Sequence, residues 1–259
     1  MSTFSDSELT CNDFLGGRVR LWQPRAGYRA GVDPVLLAAS VPASEGQSVL
    51  ELGCGAGAAV LCLMARVAQL RATGIELQPA YAELARRNAA QNHVSLSVIE
   101  ANLSALPEEL RHAQFDHVIA NPPYYRPGAH SPATDQGRRV ALGEDTPLVE
   151  WIDVAARRLT PRGYLHMIQK ADRLPDMLSA CATRLGSVEI LPLSPRVGRS
   201  AELMILRARK GGRAAFRLHA PLVMHEGDRH LCDGESYCAD VSAILRDGAA
   251  LTGFASDRR

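Results

Sequence analysis

Two apolar runs late in the chain, residues 188–193 and 201–206, are separated by only seven residues. A parallel crossover needs about a dozen residues or more, so this pair must run antiparallel. Everything before it reads the other way. Apolar segments at 48–52, 72–77, 94–99, 115–120 and 163–169 alternate with helical segments at 58–69, 79–91, 104–111, 146–159 and 171–185. That alternation predicts a parallel sheet covered by helices on both faces. The expected fold is α/β and Rossmann-like: a mostly parallel, seven-stranded sheet ending in an antiparallel hairpin.

The first 45 residues precede this alternation. Residues 1–12 are polar and predicted to be loose, and residues 17–23 alternate as one strand of a hairpin. Asp33-Pro34 opens a helix with an acidic residue and a proline at its start. Three segments are expected: an N-terminal hairpin-plus-helix extension over 1–45, a main domain over 46–212, and a tail over 213–259 packed on or extending that domain. No stretch approaches the roughly eighteen uncharged apolar residues of a membrane span. The N-terminus lacks the basic start and apolar core of a signal peptide, which predicts a cytoplasmic protein. The six cysteines form no Cys-x-x-Cys pair, and His225, His230, Cys232 and Cys238 match no common zinc spacing, so no metal is expected.

At the first strand-to-helix turn stands Glu51-Leu52-Gly53-Cys54-Gly55-Ala56-Gly57. Glycines at alternate positions let the backbone pass close under a ligand, and the helix they feed presents N–H groups to an anionic group. Gly53-x-Gly55-x-x-Ala58 alone also satisfies the dinucleotide fingerprint. Nineteen residues after Gly57, Glu76 ends the second strand. An acid there can hold both ribose hydroxyls of an adenosyl ligand, at the strand ends where α/β ligands sit.

Asn121-Pro122-Pro123-Tyr124 follows the fourth apolar strand. Pro122 drives Asn121 out of the helical region, and the two prolines remove two backbone donors while leaving their carbonyls. The result is a stiff shelf presenting an amide oxygen and a carbonyl side by side, with an aromatic face beside them. Such a shelf can hold an amino group on a planar ring by its two hydrogens, with Asn121 and Pro122 as acceptors and Tyr124 stacking on the ring. Transfer of an already activated group to that amine needs alignment and exclusion of water more than a strong base.

Glu51-x-Gly53-x-Gly55-x-Gly57 resembles motif I of the class I S-adenosylmethionine (SAM) methyltransferases, whose acid organises the loop and the methionine amino group. The NAD pattern usually carries an apolar residue there, and the antiparallel hairpin also departs from it. Asn-Pro-Pro-Tyr is shared by adenine-N6 methyltransferases of nucleic acids, guanine-N2 methyltransferases of rRNA and glutamine-N5 methyltransferases of release factors. Phe14-Leu15-Gly16-Gly17-Arg18 and Gln23-Pro24-Arg25-x-Gly27-Tyr28-Arg29-x-Gly31-x-Asp33-x-Val35-Leu36-Leu37-Ala38 resemble the start of the bacterial tRNA1(Val) adenine-37 N6-methyltransferases. The resemblance continues through Gly74-Ile75-Glu76, Asn121 to Tyr125, Arg139-x-Ala141 and Ala201-Glu202, covering roughly residues 12–212.

It implies SAM as cofactor, held by Arg29, Asp33, Glu51, Gly53, Gly55, Gly57, Glu76, Leu77, Asn102, Leu103 and Asn121, with Asn102 accepting from the adenine amino group. It implies tRNA as partner and N6-methylation of an anticodon-loop adenine. N-methylation of an rRNA guanine or a protein glutamine on the same shelf is the alternative. Net charge is only +1, yet Arg196, Arg199, Arg207, Arg209, Lys210, Arg213 and Arg217 face a single acid, Glu202. Arg196, Arg199, Arg209, Lys210 and Arg213, with Tyr125 and Arg126 beside the shelf, are the expected RNA contacts. The loop over 126–145 is expected to cover the pocket. Monomer and homodimer are equally open.

Overall fold

The computed structural model describes residues 3–124, 146–227 and 236–254. Leu9–Phe14 (β1) pairs antiparallel with Val19–Pro24 (β2), Leu9 opposite Pro24 and Phe14 opposite Val19. The expectation that residues 1–12 are loose is therefore corrected: a short 3-10 turn, Asp6–Glu8, leads directly into β1. The polar run 10–13 hides the strand because its side chains serve as partners rather than as an apolar face. Thr10 Oγ1 and Asn12 Oδ1 both accept from the Arg29 guanidinium, at 2.8 and 2.9 Å.

Asp33–Ser40 (α1) follows, with Pro34 in its first turn and almost every side chain buried. Ser48–Leu52 (β3), Ala58–Arg66 (α2), Arg71–Glu76 (β4), Pro79–Gln91 (α3) and Leu96–Glu100 (β5) build one half of the main sheet. A 3-10 turn, Leu103–Ala105, and Glu108–His112 (α4) lead to Phe115–Ala120 (β6). Beyond Tyr124, Leu148–Arg158 (α5), Leu159–Lys170 (β7), Leu174–Cys181 (α6), Gly186–Ser194 (β8) and Leu203–Arg209 (β9) complete the layers. Arg217–Leu218 (β10), Leu222–Val223 (β11) and Ala239–Asp247 (α7) belong to the C-terminal segment.

The strand order is β10-β8-β9-β7-β6-β3-β4-β5, with β11 also on β8. Strands β3 to β8 run parallel, and β9 is antiparallel to both neighbours, β7 and β8. The mostly parallel sheet with its closing hairpin stands as expected. Its size is larger than the seven strands expected, because β10 and β11 add along the outer edge of β8, Arg217 opposite Glu189 and Leu222 opposite Leu193. Two-residue strands are too short to leave a periodic signal. Successive strand residues serve opposite cores. Val118, Ala120, Leu165 and Met167 meet α5 and α6, whereas Ile119, Ile168 and Ile205 face the layer of α1 and α7. No helix among the described residues is long and apolar enough to cross a membrane.

The N-terminal hairpin is attached to α3 by two asparagine side chains acting as a strand. Asn88 accepts from Trp22 N (2.8 Å) and donates to Trp22 O (3.0 Å). Asn92 does the same to Arg20, accepting and donating at 2.8 Å. One helical turn of four residues rises about 6.0 Å, close to the roughly 6.8 Å between alternate residues of a strand, so the two amides meet the two backbone pairs in step. At the other end of the chain, α7 covers α1: Leu251 N donates to Ala39 O at 2.9 Å, and Arg18 Nη1 donates to Asp247 O at 2.6 Å.

Under that layer the sheet carries a row of buried polar groups. His166 is fully buried, its centroid 5.7 Å from the ring of His117, and neither of its nitrogens has a partner among the described residues. Arg207 and Arg66 lie nearby, and Arg207 is paired with Glu189 at 2.8 Å. Burial pushes the His166 ring well below its ordinary pKa, and burial pushes His117 down to about 4 against the opposing pull of Asp116. Below pH ~6.5 the unfolded chain takes up protons that the folded rings refuse, so stability is full above that pH and falls as pH drops toward 4. The expected slope is up to about 1.4 kcal/mol per pH unit for each histidine. Urea unfolding of His166→Leu from pH 7 to pH 4.5 should show a shallower decline than the parent; equal slopes would remove His166 from the account.

Candidate active site

The turn after β3 is held by two buried carboxylates. Glu51 Oε2 accepts from Val60 N at 3.0 Å, tying the strand end to the first turn of α2. Glu76 accepts from Gly55 N and from Gln78 N, each at 2.8 Å, so the end of β4 grips the middle of the glycine loop. Gly53 has φ +62, and a Cβ there would come within 2.6 Å of the Trp151 ring on α5. The loop therefore lies on an aromatic floor that only glycine can approach so closely. Gly57, also at positive φ, turns the chain into α2 against Leu61 and Ala85, outside the cavity lining.

Both carboxyls lie above the usual range. Burial pushes Glu51 up to about 8, opposed by the Val60 hydrogen bond and aided by the nearby charge of Glu76. Burial also raises Glu76, against three backbone donors at Gln78, Gly55 and Leu77.

Across the cavity, β6 ends where the prolines begin. Asn121 Nδ2 donates to Tyr28 Oη at 3.4 Å, which leaves the amide oxygen as the end facing any other donor. Tyr124 Oη donates to Asp33 Oδ2 at 2.7 Å, joining the shelf to the first turn of α1. Gln169 on β7 is fully buried and donates through Nε2 to Pro122 O (3.3 Å) and Pro123 O (3.4 Å). Tyr28 N donates to Tyr81 Oη at 3.1 Å, which sets the Tyr28 ring beside Gly55. Its flank is exposed, but its hydroxyl points inward, and burial first, then the charges of Asp33 and Glu51, keep it protonated.

These elements enclose a cavity of about 350 Å³. Glu51, Gly53, Gly55, Glu76, Leu77, Asn102, Leu103, Asn121, Pro122 and Tyr124 all line it, as do Arg29 and Asp33. Two of these are otherwise engaged. The Arg29 guanidinium is spent on the hairpin and on Pro24 O (2.8 Å), away from a ligand charge. Asn102 Oδ1 accepts from Ser104 N (3.0 Å) and Ser104 Oγ (2.9 Å), so only its NH2 end is left to face a ligand.

The basic residues are not brought together. Strand β9 runs opposite to its neighbours, with Leu203 beside Lys170 at the cavity end and Arg209 beside Tyr164 at the far end. That is roughly 20 Å of strand. Arg209, Lys210 and Arg213 thus sit away from the cavity, which corrects their grouping with Arg196 and Arg199. Arg209 Nε donates to Arg162 O at 3.2 Å and Lys210 Nζ to Leu159 O at 2.7 Å. Arg196, at the cavity end, is bound to Glu226 O and, at 3.1 Å, to Ser236 Oγ. Arg199, Arg213 and Arg217 are exposed and form no ion pair among the described residues. Tyr125, Arg126 and the loop over 126–145 lie outside the described residues, as do His230 and Cys232; His225 stacks on Tyr237 with centroids 4.6 Å apart. Sequence reasoning missed Gln169, Trp151 and Tyr28 as site residues. Only Tyr28 carried a signal, its place in the Gly27-to-Asp33 block.

The family model described as "Methyltransferase small domain" matches residues 30–191. Proteins named tRNA1(Val) (adenine(37)-N6)-methyltransferase from two strains of Porphyromonas gingivalis are 36% identical over 185 residues and 37% over 189; each alignment covers 66% of this chain and 72% of the relative. A relative of the same name from Dickeya chrysanthemi is 25% identical over 234 residues, covering 86% of this chain and 88% of its own. Among solved structures, one from Agrobacterium tumefaciens described as a predicted O-methyltransferase has a TM-score of 0.69 at 30% identity, covering 85% of this chain and 98% of that one. The T. thermophilus 16S rRNA N2 G1207 methyltransferase, solved with AdoMet and guanosine, shares the fold at a TM-score of 0.54 and 23% identity over 78% of this chain and 50% of its own.

Because the folded Glu51 carboxyl is raised above its unfolded value, its contribution to stability is full below pH ~4.5 and is lost as pH rises toward about 8. Glu51→Gln keeps an acceptor for Val60 N without the charge. The variant should melt several degrees above the parent at pH 8, with the gap closing near pH 4.5; a variant that melts lower at pH 8 would contradict the assignment.

Proposed function

Because the chain belongs to the methyltransferase small domain family, and within it to the tRNA1(Val) (adenine(37)-N6)-methyltransferases, we propose that it transfers the methyl group of SAM to N6 of an unpaired tRNA adenine, adenine 37 of a valine tRNA, in the cytoplasm. The observation that carries this reading is one cavity with an adenosyl-type cradle on one wall and the Asn121–Pro122 shelf on the other. A splayed anticodon-loop base enters such a pocket at lower cost than one flipped from a duplex.

The residues present fit SAM. Glu76 has lone-pair capacity left for ribose hydroxyls beyond its backbone donors, and Leu77, 45% exposed, offers an apolar face for adenine. Asn102 would donate through its NH2 to an adenine ring nitrogen rather than accept from the amino group, since its oxygen is engaged. Glu51 opposes the cationic methionine end. The bound cofactor supplies an electrophilic methyl whose leaving group is a neutral thioether.

The shelf handles the amine. Asn121 Oδ1 and Pro122 O accept its two hydrogens, draw the lone pair out of conjugation with the ring, and lie where positive charge develops. Tyr124, fixed by Asp33, sets the ring plane. Once alkylated, a ring-conjugated amine is a strong acid and gives its proton to water.

Asn121→Ala should bind SAM as the parent does but transfer methyl two to three decades more slowly, about the loss of one preorganised polar contact. Mass spectrometry of nucleosides from tRNA incubated with each protein reads N6-methyladenosine directly. Equal yield from both, or none from the parent, would defeat the proposal.

RNA phosphates are expected at the cavity end of the β8–β9 connection. Arg199→Ala should lower the log–log salt slope of tRNA binding by about one unit, and Arg213→Ala should leave it unchanged. Filter binding over a salt series separates the two, and the reverse result would move the RNA to the far end of β9.

A further inference from the structure

Strand β7 outruns its partner. Its last ladder pair with β6 is Met167 opposite Ala120, while toward β9 it continues through Gln169 opposite Met204 and Lys170 opposite Leu203. Past Ala120 the shelf carbonyls leave the ladder, so no backbone N–H of β7 is in register to meet them. The Gln169 side chain takes over, with Nε2 reaching Pro122 O at 3.3 Å and Pro123 O at 3.4 Å.

An amide buried with no exposed surface is costly unless both of its ends are bonded. Gln169 meets that condition in one orientation only: Oε1 accepts from Lys170 N at 2.8 Å, so NH2 must face the shelf. Both shelf contacts are long for N–H···O bonds. A long bond orients a carbonyl without exhausting it, and a carbonyl oxygen has two lone pairs. Gln169 takes one lone pair of Pro122 O and leaves the other free, on a residue that lines the cavity.

We propose that Gln169 is a positioning residue for methyl transfer: it touches no reactant, but fixes the direction in which Pro122 O meets the acceptor amine. The inference rests on the reading of the shelf given above, and deepens it by adding a residue from the neighbouring strand. The shelf is thereby built from two strands, its two acceptors, Asn121 and Pro122, from the end of β6 and the amide that aims one of them, Gln169, from the end of β7.

Two variants test it in the full-length protein, with SAM and tRNA. Gln169→Leu should lower kcat about 10- to 100-fold, the scale on which a small misplacement of an aligned group acts, while the Kd for SAM and the KM for tRNA stay within about twofold. Gln169→Glu presents a buried carboxyl to two carbonyls, so its ionised form repels them and its neutral form can donate to one. The ratio of its kcat to that of the parent should therefore rise as pH falls from 8.5 to 6. A pH-independent ratio, or a fall in SAM affinity matching the fall in kcat, would make Gln169 merely structural and overturn the proposal. Parent activity separates the two levels: an active parent with an equally active Gln169→Leu sinks this inference alone, whereas a parent that methylates no RNA adenine sinks the reading of the shelf beneath it.

Discussion

Two carboxylates hold open the loop that the rest of the site is built around. Glu51 and Glu76 are almost fully buried, at 3% and 6% exposure; Glu51 accepts from Val60 N in the first turn of α2, and Glu76 from Gly55 N in the glycine loop and Gln78 N before α3. Burying an acid is expensive, and both respond by holding their protons more tightly than a carboxyl in water. What they gain is geometry. The glycine loop is drawn flat over Trp151, Cys54 N continues the ladder to Ile75 O at 2.9 Å, and a cavity remains above. Strained acids at a strand end are a stability cost retained where a ligand will later meet them.

The N-terminal extension is a wall of that cavity rather than an appendage. It is fastened on three sides by unrelated devices: the asparagine pair of α3 along β2, the Tyr124–Asp33 and Asn121–Tyr28 contacts at the shelf, and α7 over α1. Tyr28 touches both sides, its ring beside Gly55 and its hydroxyl at Asn121, so the orientation of the Asn121 amide depends on a residue that precedes the main sheet.

Much of this was legible in the sequence wherever one segment determines its own role. The strand–helix alternation, the antiparallel close, the glycine loop and the Asn121 shelf are local patterns, and the sheet then brings their ends together. What could not be read depends on a partner distant in sequence. Gln169 looks like a polar end to an apolar strand until the prolines that follow β6 are set beside it. Asn88 and Asn92 look like two ordinary helix-surface residues until β2 is laid against them. The basic stretch is a different case. An antiparallel β9 already implied that Leu203 and Arg209 leave the sheet at opposite ends, so Arg209 and Lys210 could have been separated from Arg199 by topology alone. Their charge drew attention away from their direction.

The shelf also bears on which atom accepts the methyl group, since one structural neighbour is described as an O-methyltransferase. Two acceptors set side by side count hydrogens. An exocyclic amine brings two and satisfies both; a hydroxyl brings one and can satisfy only one of them. A hydroxyl must also lose its proton as it attacks, which calls for a base poised at the nucleophile. The carboxylates of the described cavity are committed elsewhere, Glu51 and Glu76 to the glycine loop and Asp33 to Tyr124. An amine conjugated to a ring needs the opposite of a base at that moment: acceptors that hold its hydrogens in place while its lone pair turns toward the methyl. On the proposed reading, the arrangement at the end of β6 would favour an amine over a hydroxyl by hydrogen count, before any contact with the rest of the substrate is made.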